Sequence, residues 1–453
     1  MIIKFGISRR CINPEVPISL AGYFNVRMWD HVKDDLEVRV VAFEDKNNHV
    51  ALLVHYDLVG VPLSFCNLLL NALKSKGYTK FDRSNVMICA THTHTGPEIR
   101  PGKNGLNLDY LPFLLDKTLI AVEEALSNMK EGEVYTSCTK DARFLFNRRF
   151  YLKDGSVLTN PGKLNPQILR PEGDIDQEIP IVAIKVNGQI KLVLSSIVNH
   201  SDTIGGNGVS ADWPGVLHRI IEEQLGEESM HVPLVGAAGN INHFDVSNNN
   251  DQTNYNEAIR IGTGYSQGIL NALDLLQPVE GDNLKVISGV VESKNHELTD
   301  EEILDARAIV EKYKDLDVEK CASLTSEDLA KGEPVVLKYF AQVLLSMVDS
   351  KETPVFYLNS FIFGKSAVIA SLPCEPFVEI GLILRKEIFG DYTCLVTEHG
   401  NGTGSENCAG GYIPNAWNYN RGGYETTARS NPFSKDTAQK LLEAYRKMVL
   451  KLN

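Results

Sequence analysis

Residues 86–97 run Val86-Met87-Ile88-Cys89-Ala90-Thr91-His92-Thr93-His94-Thr95-Gly96-Pro97. The five apolar residues at the start predict a buried strand, and the Gly-Pro pair forces a turn directly after the polar side chains. Apolar runs at 38–43 and 50–55 and a helical spacing at 63–76 precede this stretch, so strands alternate with a helix. Ligands of α/β sheets bind at the carboxyl ends of strands. The stretch therefore predicts an α/β fold with a candidate site around His92 and His94.

The same arrangement recurs along the chain. Two predicted strands, 179–186 and 190–198, form a hairpin across Asn187-Gly188 and end in Asn199-His200. No repeat and no break separates two halves, so we expect one large α/β (α+β) domain over 1–453, with mixed β-sheets flanked by helices. Other notable segments are Gly239-Asn240-Ile241-Asn242-His243 and Pro373-Cys374-Glu375 after further strands, a charged helical excursion at about 299–347, and a Gly/Asn/Tyr-rich stretch at 400–423 before Tyr424-Glu425.

Composition and charge narrow the classes of partner. The 453 residues include 45 Lys and Arg against 58 Asp and Glu, which gives a net charge of −13 without any long basic run. Nucleic acids and anionic membranes require a positive patch, so a small-molecule partner is expected instead. No segment reaches the roughly 18 apolar residues of a membrane span, and the first residues lack the apolar core of a signal peptide. We therefore expect a cytoplasmic protein.

The eight cysteines are scattered without a CxxC pair. This spacing favours buried, reduced thiols over a disulfide framework or a zinc knuckle.

Histidines are the strongest chemical signal. On an extended backbone His92 and His94 point the same way, and His200 lies at another strand end. Zinc sites are built from neutral imidazoles with carboxylate support, which Glu375 could provide. From local sequence alone each histidine could equally be a hydrogen-bonded structural residue, Glu375 could cap the following helix, and Tyr424 would more often be a packing residue.

Five motifs taken together carry a family resemblance. They are Thr-His-Thr-His-Thr-Gly-Pro at 91–97, Asn-Arg at 147–148, Asn-His at 199–200, Pro-Cys-Glu at 373–375 followed by Gly381, and Gly-Tyr-Glu at 423–425. In this order they resemble the catalytic domain of neutral ceramidases over nearly the whole chain. The resemblance implies a Zn²⁺ ion held by His92, His200, Glu375 and Tyr424. It further implies that His94 and Arg148 assist catalysis and hold the substrate.

Three departures from that family shape the functional prediction. Cys374 stands where the family has glycine, Asn242 stands where it has a catalytic serine, and the chain ends soon after Tyr424, so no C-terminal immunoglobulin-like domain is expected. Metal-activated water needs no protein nucleophile. We therefore predict a zinc-dependent hydrolase of an amide (N-acyl) bond in a small polar substrate, with Asn242 in the catalytic site. The alternatives are an esterase or other hydrolase of a polyol or sugar derivative, and a metal-stabilised binding protein without turnover.

Overall fold

The computed structural model describes residues 1–23, 26–101, 109–318, 333–348, 350 and 352–452. Its larger sheet has eight long strands and a short ninth at Gln277–Pro278, which pairs with the fifth. The long strands are β1 (Ile2–Cys11), β2 (Glu37–Glu44), β3 (Val50–Tyr56), β4 (Val86–Ala90), β5 (Lys130–Lys140), β6 (Glu178–Val186), β7 (Gln189–Ile197) and β8 (Met230–Val235).

The strands of this sheet lie in the order β8-β7-β6-β5-β1-β2-β3-β4. The outermost pairs, β7 with β8 and β3 with β4, are parallel, and the others are antiparallel. The smaller sheet has the order β9 (Leu284–Glu292), β10 (Val355–Phe363), β11 (Ala367–Ser371), β12 (Thr393–Thr397), and only β11 and β12 are parallel.

Short strand pairs complete the sheets. They are Ser19–Leu20 with Arg27–Met28, His31–Val32 with Gly208–Val209, Phe146–Asn147 with Ile241–Asn242, Arg149–Leu152 with both Val157–Thr159 and Ile168–Pro171, and Glu375–Pro376 with Tyr412–Ile413.

The helices cover the outer faces. They are α1 (Leu63–Ser75), α2 (Tyr110–Ser127), α3 (Asp212–Leu225), α4 (Tyr255–Leu273), α5 (Asp300–Lys312), α6 (Pro334–Val348), α7 (Val378–Ile383, continued by a π turn at Leu384–Ile388) and α8 (Thr437–Leu450), with 3₁₀ turns at Ala416–Arg421 and Tyr424–Thr426.

Alternating burial along the strands explains the layering. In β2 the side chains of Val38 and Val40 pack with α1 and α2, whereas Val41 and Phe43 point to the opposite face and meet the smaller sheet. The period of two in a strand produces these two faces. Helices α3 and α4 cover the other half of the large sheet, and α8 covers the outer face of the small one. The order of layers is helix, sheet, sheet, helix.

The large sheet curls until its two edges approach each other. After β12, the backbone N–H of Glu398 donates to the carbonyl of Val235 in β8 (2.7 Å), and that of Asn401 donates to the carbonyl of Ile88 in β4 (2.8 Å). Three residues span at most roughly 10 Å. The edge strands β4 and β8 therefore approach the end of β12 together, and the loops that follow them share one region.

The α/β class with mixed sheets and flanking helices is confirmed. The turn at Asn187 and Gly188 has the positive φ values, 51° and 80°, that suit a two-residue hairpin. The predicted excursion at 299–347 contains α5 and α6, while its residues 319–332 lie outside the described residues. That residues 1–453 form one domain without an immunoglobulin-like extension stays a prediction.

Two sequence expectations concern cysteines and membranes. Cys66, Cys89, Cys374 and Cys394 are buried thiols, but Cys11 and Cys138 are exposed, so the expectation of general burial is wrong for those two. Cys321 lies outside the described residues. Within the described ranges, every helix is too short or too polar to cross a bilayer.

Candidate metal centre

His92 lies directly after β4 in a left-handed conformation, with φ of 62°. Its Nδ1 lies 2.6 Å from the carbonyl oxygen of Val59. A carbonyl can only accept a hydrogen bond, so Nδ1 carries the proton and Nε2 keeps a free lone pair. The loop after β3 thereby fixes the tautomer and the direction of a buried ring.

The loops after β4 and β7 bring two further imidazoles to His92. The backbone N–H of His94 donates to the carbonyl of Ser201 (3.1 Å), which joins the loops. Nε2 of His200 lies 3.0 Å from Nε2 of His92, and Nε2 of His94 lies 3.2 Å from the same atom. His200 also directs Nδ1 to the carbonyl of Ala238 at 3.4 Å, so its Nε2 faces the centre as an acceptor.

Glu375 supplies the carboxylate. It begins the short strand that pairs with Tyr412, and the preceding Cys374 has φ of 58°, a left-handed conformation that explains why a glycine would suit this position. Glu375 Oε2 lies 3.5 Å from His92 Nε2. This oxygen is buried and has no hydrogen-bond partner among the described residues.

These donor atoms fit a zinc ion. Two unprotonated imidazole nitrogens cannot hydrogen-bond to each other, and a cation between them would account for their 3.0 Å separation. Ligand atoms bound tetrahedrally at about 2.0–2.1 Å from zinc lie roughly 3.3 Å apart, close to the 3.0 Å and 3.5 Å that separate His92 Nε2 from His200 Nε2 and from Glu375 Oε2. Burial lowers the pKa of His92 and lowers the pKa of His94 and His200 still further. The rings are therefore neutral, as metal ligands must be.

Two tyrosines lie near the carboxylate. The hydroxyls of Tyr412 and Tyr424 are 3.3 Å apart. Burial raises the pKa of Tyr412 well above its ordinary range, with the charge of Glu375 as the next cause. Burial also raises the pKa of Tyr424 to about 12, but there Glu375 is the weakest cause. The sequence prediction overlooked Tyr412, although the charge of Glu375 is second only to burial among the causes of its raised pKa.

Comparison with solved structures identifies the architecture. The crystal structure of neutral ceramidase from Pseudomonas aeruginosa superposes with a TM-score of 0.73 at 17% identity, covering 99% of this chain and 74% of that one. The chain has the neutral ceramidase fold. A ceramidase complexed with C2 matches similarly, with a TM-score of 0.72, 16% identity and coverage of 99% and 75%. No family model matches the sequence, and no curated protein matches it at a significant level. The resemblance predicted from motifs is thus confirmed at the level of fold.

Within this ceramidase fold, Arg148 is a buried residue with its hydrogen bonds directed to protein. Its guanidinium donates to Glu425 (3.2 Å) and to the carbonyl of Gly239 (2.7 Å), and it lies 5.0 and 5.6 Å from the ring centroids of Tyr412 and Tyr424. This arrangement fixes the two rings. Substrate contact by Arg148 stays a prediction.

Asn242 is 1% exposed and forms hydrogen bonds with its neighbours. Its amide donates to Asn160 Oδ1 (2.9 Å), and its Oδ1 accepts from the backbone of Phe244 (3.1 Å). The side chain at the position of the ceramidase serine is therefore held by the protein. A catalytic contribution from Asn242 stays a prediction.

Sequence analysis also overlooked Glu398 and His399. The His399 ring stacks on His92, with centroids 4.2 Å apart and planes inclined by 15°. One of its nitrogens lies within 4.8 Å of ligand atoms of His92 and Glu375. A usable signal existed, because both residues directly follow the predicted strand at 393–397 and so satisfy the strand-end rule that identified His92.

Proposed function

We propose that this chain is a zinc-dependent hydrolase that cleaves an amide bond in a small polar substrate by metal-activated water. One observation carries the proposal: Nε2 of His200 and a carboxylate oxygen of Glu375 lie within 3.5 Å of His92 Nε2, with His94 beside them, on the fold of a ceramidase. His, Glu and Tyr donors are typical of catalytic zinc, whereas structural zinc is mostly closed by Cys and His.

The protein residues have distinct tasks in this proposal. When bound, zinc would lower the pKa of a water molecule to roughly 7 and polarise a carbonyl. The carbonyls of Val59 and Ala238 orient His92 and His200 as ligands. His94 is the most exposed imidazole of the three, and we assign it the proton transfer to the leaving amine. Because burial lowers its pKa, His94 begins neutral; it would take a proton from the attacking water and pass that proton to the leaving amine.

A tyrosine hydroxyl completes the donor set. Sequence resemblance indicates Tyr424, but we favour Tyr412 because it is the register partner of Glu375 and the charge of that carboxylate follows burial as the next cause of its raised pKa. On this assignment Tyr424 donates a hydrogen bond to the hydroxyl oxygen of Tyr412 and thereby fixes its orientation and adjusts its basicity.

Preference for a small polar substrate rests on the segment at 400–423, which is rich in Asn, Gly and Tyr. A cytoplasmic location also stays a prediction. A second candidate function is a zinc-stabilised binding protein without turnover, because Asn242 is engaged by Asn160 and offers no nucleophile.

Metal analysis followed by a substrate screen tests the proposal. Purified protein reconstituted with Zn²⁺ is expected to hold the metal and to hydrolyse short N-acyl amides faster than the matched polar esters. His92→Ala should lose both properties, while His49→Ala, a change at an exposed histidine outside the site, should lose neither. Less than about a tenth of an equivalent of metal after reconstitution would refute a metal centre. Bound zinc without turnover of any acyl compound would favour the binding protein.

A further inference from the structure

Two buried polar atoms beside the candidate metal centre, Glu398 Oε1 and His399 Nε2, have no hydrogen-bond partner in the described part of the chain. They lie near Glu375, whose Oε2 is unpaired as well but faces the first site. All three residues are more than nine-tenths buried, with exposures of 0%, 7% and 7%. Most buried polar atoms are paired, so the two that the first ion does not explain call for another partner.

The backbone holds these groups firmly. The other Glu398 oxygen accepts a hydrogen bond from the backbone N–H of Ala238 (2.9 Å), the residue whose carbonyl faces His200. The backbone N–H of His399 donates to the carbonyl of Cys374 (3.0 Å), next to Glu375. His399 also has a left-handed φ of 54°. Their convergence is therefore built into the loops around the first site.

Ring orientation shows that His399 cannot share the ion of His92. An imidazole binds a metal in its own ring plane, and the His92 plane crosses those of His94 and His200 at 85° and 88°. The His399 and His92 planes differ by only 15° at a centroid separation of 4.2 Å. An ion shared by the two rings would have to lie where their planes intersect, on the order of 10 Å from the rings, whereas a metal–nitrogen bond is only about 2.0 Å long. His399 must therefore face a different occupant.

We infer that Glu375, Glu398 and His399 form a second divalent-cation site beside the first, with Glu375 facing both ions. The Nε2 of His399 lies 3.9 Å from Glu398 Oε1, and a nitrogen of His399 lies within 4.8 Å of a Glu375 oxygen. One imidazole and two carboxylates suit zinc or manganese. The inference rests on the proposed function, because it takes the first site to hold zinc.

Metal stoichiometry tests the second site without any substrate. Chelator-stripped protein is titrated with Zn²⁺, and bound metal is measured after desalting. We expect the wild-type chain to hold two ions. His399→Ala and Glu398→Gln should each hold one ion, and the control His49→Ala, at an exposed histidine, should hold two. With Mn²⁺ in place of Zn²⁺, the wild type should give the electron paramagnetic resonance spectrum of a spin-coupled pair, and His399→Ala that of a single ion.

The outcomes separate this inference from the proposed function. One ion in the wild type, unchanged in His399→Ala, would overturn the second site and leave the zinc hydrolase intact. That result would mean that a proton on Glu398 satisfies the cluster. No ion in any protein would overturn both. Loss of both ions from folded Glu398→Gln and folded His399→Ala would show one indivisible site and would also overturn the inference.

Discussion

Replacing each tyrosine of the hydroxyl pair in turn separates a metal ligand from its hydrogen-bond partner. Tyr412→Phe and Tyr424→Phe both remove the 3.3 Å hydrogen bond and keep both rings beside Arg148, but Tyr412→Phe also removes a hydrogen bond with that guanidinium. We therefore expect a loss of folding stability of about 1 kcal/mol for Tyr424→Phe and a larger loss for Tyr412→Phe. A difference in metal affinity between the folded variants reports ligation. We expect Tyr424→Phe to weaken zinc binding by roughly 10–100-fold, as for an outer-shell partner, and Tyr412→Phe to weaken it by more.

The pH dependence gives an independent readout of the same assignment. Because the pKa of Tyr412 is raised, its hydroxyl is protonated near neutrality and must release that proton on binding zinc. Wild-type zinc affinity should therefore increase between about pH 7 and 9, with one proton from Tyr412 released in addition to the proton of zinc-bound water. The tyrosine's share of that slope should persist in Tyr424→Phe and disappear in Tyr412→Phe. Chelator competition at several pH values measures both quantities. A steeper loss in Tyr424→Phe, together with loss of its pH slope, would refute our assignment and restore Tyr424 as the ligand.

Three further predictions follow from the site and its surroundings. His94→Ala should keep zinc but lose roughly 10²–10⁴ in rate, whereas His92→Ala loses the metal; metal loss from the first variant would show that His94 is a ligand. Burial lowers the pKa of His55 to about 3, below its value of about 6.5 in an unfolded chain. Below pH 6.5 the unfolded state therefore binds one more proton than the folded state, and the free energy of unfolding falls by about 1.4 kcal/mol per pH unit toward pH 3. His55→Leu removes this proton uptake and should move the acid-unfolding midpoint to lower pH. An unchanged midpoint would contradict this. Cys374→Gly removes a buried thiol at a left-handed φ, whereas the control Cys394→Gly removes a similarly buried thiol from the regular strand β12. Urea unfolding should find Cys374→Gly more stable than Cys394→Gly by roughly 2 kcal/mol, because glycine relieves the strain only at the first position. Equal stabilities would argue against strain at Cys374.

Local patterns predicted the elements whose stability is encoded locally. The strand at 86–90 has the predicted bounds, because an apolar run closed by a Gly-Pro turn has few alternatives. Helix α4 was overlooked, and its internal glycines explain why. A Cβ at Gly262 would come within 2.8 Å of Val216 and of the carbonyl of Trp213 in α3, so only glycine allows the two helices to pack this closely. The same glycine lowers the helix propensity of the sequence and so hides the helix from a prediction based on local pattern. Only the neighbouring helix reveals that requirement.

The same distinction applies to the metal centre. His92, His200 and Glu375 were predicted because each ends a strand and belongs to a recognisable motif. His399 satisfies the strand-end rule but has no motif, and its stacking on His92 depends on the curl that brings the end of β12 to β4. Long-range approach of this kind cannot be deduced from the spacing of residues along the chain.

Backbone strain supports a functional origin for the cluster. His92, Cys374 and His399 all have left-handed φ values although none is glycine, and each such residue costs about 1–3 kcal/mol. A purely structural histidine cluster would recover that cost through hydrogen bonds between its rings. Here His92 Nε2 faces another acceptor, and His399 Nε2 faces no partner among the described residues, so hydrogen bonds between the rings do not offset the cost. Cations would compensate it. Removal of metal should therefore destabilise the folded chain markedly, and a thermal midpoint unchanged by exhaustive chelation would show that the strained loops are held by packing alone.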